Sequence, residues 1–160
     1  PTLVNGVNGG RGLRDIVLDE PRNRIYIANS AMNRVEIFDT LKRRYLDPIE
    51  VGQFPESLSL SIDRNTLYVA NAGGESLMTV DLEALVVTGS VTFPAVPRSG
   101  AQGAVAVQSM ASTISGLQLV MSNGTIWRAI GNEATVRSSP ILPASLVGGQ
   151  PRVMTATEDG

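Results

Sequence analysis

The segment Arg24-Ile25-Tyr26-Ile27-Ala28-Asn29 returns as Thr66-Leu67-Tyr68-Val69-Ala70-Asn71, with the two tyrosines 42 residues apart. The same offset carries Asp39 onto Asp81, Asn23 onto Asn65 and Pro55 onto Pro97. Several independent positions in one register make coincidence a poor explanation. A repeat of this kind constrains the fold strongly, because each unit is a supersecondary block that must bury its apolar faces against a neighbouring copy. The period is too long for a leucine-rich repeat and falls where one four-stranded blade of a radial array is expected.

Within each unit, β-branched and aromatic residues alternate with polar ones, and turn residues separate the runs. The pattern predicts strands at 15–19, 24–29, 34–39 and 45–51 in the first unit and at 57–62, 66–71, 76–81 and 86–92 in the second. Pro48 lies inside the last strand of the first unit, which suits an outer edge and not a central ladder. A looser third unit is read at 103–108, 116–121, 125–130 and 133–138, its middle pair joined by Ser122-Asn123-Gly124, a strong hairpin signal. Leu117 lies 50 residues from Leu67, so this unit carries about eight extra residues, expected in a loop at 109–115.

The fold class expected is therefore all-β: β-propeller blades, each a four-stranded antiparallel meander of about 42 residues, numbering three and a fraction and leaving the ring incomplete. Unit boundaries are read at 13–55, 56–97 and 98–150, with the start of a next unit at 151–160. Residues 1–12 are read as a linker or interblade loop, since the glycines there lack the spacing and the following lysine of a phosphate loop. An initial Pro1 with neither Met nor a leader suggests a processing or expression boundary.

Composition narrows the chemistry. Hydrophobic residues make up 42% of the 160-residue chain and charged residues 18%, a balance suited to a folded domain. Net charge is −2, and the only cationic run, Lys42-Arg43-Arg44, reads as a solvated hairpin tip, so nucleic acid and membrane insertion are not expected. Cys and His are absent, which removes thiolate and imidazole metal sites, the Ser-His-Asp arrangement and the commonest general base. No cofactor or metal site is expected, and any catalysis would rest on carboxylate, lysine, tyrosine or hydroxyl groups.

Tyr26-Ile27-Ala28-Asn29 and Tyr68-Val69-Ala70-Asn71 resemble the tetrapeptide of the Tyr-Val-Thr-Asn (YVTN) family of β-propeller repeat proteins, with Ala in place of Thr in both copies. The resemblance spans 13–97 well and 98–160 weakly. It implies a bacterial or archaeal protein, often multi-domain, located outside the cell, on its surface or in the periplasm. Similar propellers also occur in lactonases and quinoprotein-like enzymes, but none of their catalytic residues can be placed on this sequence.

Repetition of Tyr26 and Tyr68 and of Asn29 and Asn71 points to a structural role, with Tyr packing between blades and Asn satisfying strand ends. Asp39 and Asp81 each end a third strand, where turn formation is expected and an acid/base pair is not. A more informative set is Arg14, Glu56 and Arg98, spaced by 42, with Arg152 in the corresponding place of the partial fourth unit. These residues would ring the channel mouth together with the loops 30–33 and 72–75, either as a ligand site or as interblade ion pairs that close the channel. Asn123-Gly124-Thr125 fits a glycosylation acceptor but is already accounted for as a turn.

The function expected is a non-catalytic binding scaffold that recognises a protein, glycan or small ligand at the mouth. The alternatives are a portion of a propeller enzyme whose catalytic residues lie elsewhere, and a self-assembling module. Partners expected on this basis include further blades of the same parent chain or another copy.

Overall fold

The computed structural model describes residues 12–74, 76–92, 105–131 and 133–136, and every regular element among them is a β-strand. The first blade contains β1 (Leu13–Asp19), β2 (Arg24–Asn29) and β3 (Arg34–Asp39), with the short β4 (Arg44–Tyr45) and β5 (Ile49–Glu50) both paired to β3. The second is β6 (Pro55–Leu60), β7 (Thr66–Asn71), β8 (Ser76–Asp81) and β9 (Val86–Thr92). The third is β10 (Val107–Thr113), β11 (Gly116–Met121), β12 (Ile126–Ile130) and β13 (Glu133–Val136). Each is an antiparallel meander, and one parallel pairing, Glu133 with Thr92, joins the outer strands of the second and third. The described strands form no closed ring.

The strands expected at 24–29, 34–39, 66–71, 76–81 and 86–92 have those bounds. The fourth strand of the first blade is split over residues 46–48, where Pro48 has no N–H to give the ladder. The first strand of the second blade starts and ends two residues earlier than its pattern indicates.

The third blade departs further from expectation. Its first strand is Val107–Thr113 and not 103–108, and the expected loop at 109–115 is instead mostly strand, with Thr113 pairing to Gly116 across Ile114-Ser115. Ser109, Ser112 and Thr113 look like loop residues, yet hydroxyl side chains suit an innermost strand. There Ser112 meets the inner strand of the neighbouring blade, and Ser59 and Ser112 share a hydroxyl–hydroxyl bond of 3.0 Å across that junction. The added length therefore precedes β10: Val107 stands 52 residues after its counterpart Pro55, and the shorter hairpin returns the offset to 50 by Leu117.

Among the described residues, two cores lie between the blades. Tyr26, Ala28, Val35, Ile37 and Ile49 of the first pack on Leu58, Leu67, Val69, Val80 and Leu82 of the second. Ala70, Leu77 and Val91 pack on Leu117, Leu119, Met121, Trp127 and others of the third. Strand β7 sends Leu67 and Val69 to one core and Ala70 to the other, so a strand with both faces covered reads as one apolar run. Among the described residues, no blade packs on the outer face of the first in this way. Ile16 and Leu18 are 61% and 49% exposed, whereas Leu58, the counterpart of Ile16, is 3% exposed.

Candidate functional site

The residues at the channel mouth are placed by a recurring irregularity. Each inner strand carries a β-bulge at the same register, between Leu13 and Ile16, between Pro55 and Ser57, and between Val107 and Ser109. A bulge adds a residue that the partner strand does not match and re-aims its side chain. The bulges fall on Arg14, Glu56 and Gln108. Pairing of Leu13 with Asn29 sets Arg14 beside the loop 30–33, the end of the blade expected to form the mouth.

Arg14 Nε and Glu56 Oε2 are 3.5 Å apart, with side chains 36% and 29% exposed, so these two expected residues do come together. By register the third-blade counterpart is Gln108 and not Arg98, because of the residues added before β10. Oε1 of Gln108 is buried without a hydrogen bond. Sequence spacing missed it, although counting back from the Asn-Gly hairpin over a two-residue turn would have reached it. Arg98, Arg152 and Glu75 lie outside the described residues.

Below the bulges the inner strands are tied by side chains. Asp15 accepts from the Ser57 hydroxyl at 3.1 Å and from the Leu58 N–H at 2.8 Å. The repeated asparagines divide in role. Asn29 accepts from the Met32 N–H and donates to Glu36 at 2.8 Å, whereas both amide atoms of Asn71 are buried without a partner. The counterpart of Glu36 in the second blade is Met78, whose sulfur accepts from the Gly52 N–H and not from Asn71. Asp39 and Asp81 cap turns, accepting N–H bonds from Lys42 and from Glu83 and Ala84 respectively. The Lys42 N–H bond, above all, holds the Asp39 carboxyl below its ordinary range.

At the opposite end of the blades, a cavity of roughly 640 Å³ opens between the second and third. Tyr68 lines it. Tyr26, by contrast, is fully buried between the first two blades, so the expectation that Tyr packs between blades holds in full for Tyr26 alone. Burial raises the phenol of Tyr68, and the charge of Asp63 adds to that rise. Asp63 is held below the usual carboxylate range, first by the Ser61 hydroxyl and then by the Asn65 N–H. Among the described residues, no group of three or more acidic, His or Cys side chains could hold a metal ion.

No family model matches the sequence, and neither does any curated protein. Solved structures do resemble the fold. Hydrazine synthase of Kuenenia stuttgartiensis gives a TM-score of 0.66 at 16% identity, over 79% of this chain and 35% of that one. The WD40 repeats of RRP9 give 0.57 at 12%, over 81% and 39%. Dihydro-heme d1 dehydrogenase NirN in complex with DHE gives 0.57 at 17%, over 82% and 27%. The chain thus has a β-propeller fold and spans well under half the length of each of these proteins.

Proposed function

We propose that the chain belongs to a non-catalytic β-propeller binding scaffold of the YVTN repeat type, from a secreted or surface bacterial protein. Its ligand is a protein, glycan or small molecule received at the channel mouth by Arg14 and Glu56, with Gln108 in the third-blade place that the spacing gave to Arg98, and Arg152 in the next unit. The observation that supports this reading is the aligned bulge in all three inner strands, which sends the Arg14–Glu56 pair out of the regular ladder while leaving both side chains within reach of solvent. A second reading, part of a propeller enzyme with its chemistry in other blades, is favoured by the resemblance to two proteins whose names denote enzymes, hydrazine synthase and a dehydrogenase.

The test is an Arg14→Ala/Glu56→Ala double variant and its parent, compared on a glycan array that includes uronic and sialic acids. The double variant is expected to lose the ligands of the parent while keeping its circular dichroism spectrum. Unchanged binding in a folded variant would remove the mouth as the site.

A further inference from the structure

The cavity between the second and third blades has a filled twin between the first and second. There, two arginines of the first blade reach across to the second. Arg24 donates to the Leu82 carbonyl at 3.0 Å. Arg22 donates to the Arg64 carbonyl at 2.6 Å and to Asn65 Oδ1 at 3.3 Å, and also bonds Asp19 at 3.2 Å. Both guanidinium groups therefore sit where the turn of one blade faces the next, beside the ring of Tyr26. Burial raises the phenol of Tyr26, with the Arg24 guanidinium pulling it the other way.

One blade further on, no arginine makes the corresponding reach and the receiving hairpin is shorter. Thr66 stands in the place of Arg24, since both open the second strand of their blade opposite Asp81 and Asp39 respectively. Arg64 stands in the place of Arg22 but has φ +57, whereas the left-handed residue of the first turn is Asn23; its exposed side chain does not line the cavity. Gly131 replaces Leu82, Ser115 replaces Asn65, and the hairpin at Ile114-Ser115 is two residues shorter. The cavity lies at this junction, and its walls include Ser61, Asp63, Tyr68, Ser115 and Gly131.

We propose that this cavity is a binding site for a guanidinium group on an apolar stem, taking from a ligand what the first blade supplies from its own chain. Asp63 provides the counter-charge. Its carboxylate accepts three bonds, from Ser61, from the Asn65 N–H and from the Asn65 side chain, which leaves acceptor capacity on Oδ2. The Tyr68 ring supplies an aromatic wall of the kind that attracts a cation. Ile62, Ile114 and Ile130 line the same cavity, 56%, 78% and 60% exposed, and offer an apolar collar to the stem. The site is at the opposite end of the blades from the mouth and does not depend on the mouth binding anything.

The test is a titration of the whole chain followed by amide NMR shifts. The probes are butylguanidinium, its neutral counterpart butylurea, and N-acetyl-arginine N-methylamide. Butylguanidinium is expected to shift the amides of 61–68, 113–117 and 129–131, and to bind about tenfold or more tightly than butylurea, as a charge-assisted bond requires. Asp63→Asn is expected to erase that preference. Thr66→Arg is expected to fill the cavity from within and abolish binding, with shifts at the same amides in the unliganded variant.

Tighter binding of the arginine amide than of butylguanidinium would assign the site to a peptide side chain, and the reverse order to a free small cation. Equal binding of butylguanidinium and butylurea would overturn the proposal. So would Asp63→Asn binding like the parent, which keeps the test decisive even if Thr66→Arg fails to fold.

Discussion

Glu36 is a deeply buried charge, at 1% exposure, and the structure sets out what removing its partner should do. Its Oε1 accepts from Arg34 Nε at 2.7 Å and from Asn29 Nδ2 at 2.8 Å. Arg34→Ala leaves a buried carboxylate with one amide donor, and loss of one partner from a buried pair costs about 3 kcal/mol or more. For a domain of this length that corresponds to a fall of roughly 6–12 °C in Tm. Glu36→Met copies the second blade, where Met78 faces an unpartnered Asn71, and should cost only the orphaned Asn29 donor, about 1–2 kcal/mol. The double variant should then be no less stable than Glu36→Met alone, because no buried charge remains to be uncompensated. Urea unfolding followed by circular dichroism measures all three. A loss below about 1 kcal/mol for Arg34→Ala, or strictly additive losses, would refute the reasoning.

Three further outcomes are expected. Asp15→Ala removes the acceptor shared by Ser57 and the Leu58 N–H, and should lower stability by about 1–2 kcal/mol in the same urea assay. Gly116→Ala should cost about 2 kcal/mol or more, since the residue has φ +114 and an added Cβ would lie 2.6 Å from the Ala129 carbonyl oxygen. Asp39 and Asp63 have folded pKa values below their unfolded ones, so the stability they contribute is present above the ordinary carboxylate range and is lost as pH falls through the lowered folded values. Asp39→Asn should flatten the decline of the urea midpoint in acid.

Strands whose side chains alternate between two apolar cores were legible from sequence, because the repeat of Tyr26 and Tyr68 fixes their register and both faces must be apolar. The innermost strand of the third blade was not. Ser112 meets Ser59 of the neighbouring blade and Thr113 closes its own hairpin, tertiary and turn requirements that a local pattern reads as loop. The pairing of Arg14 with Glu56 followed from the 42-residue offset alone. Gln108 did not, because the insertion ahead of β10 breaks that offset. The cavity stayed hidden for a different reason. It arises where Thr66 and Gly131 fail to repeat Arg24 and Leu82, and a search for similarity passes over positions that differ.

The chain has one tryptophan, Trp127, and it lies in the core between the second and third blades. Indole fluorescence therefore watches one of the two described interfaces. In a linear stack whose cores lose structure separately, emission would follow the second interface while far-ultraviolet dichroism sums over both. A gap between the two melting curves would measure how strongly the middle blade couples its neighbours, and superimposed curves would show that the blades unfold as one.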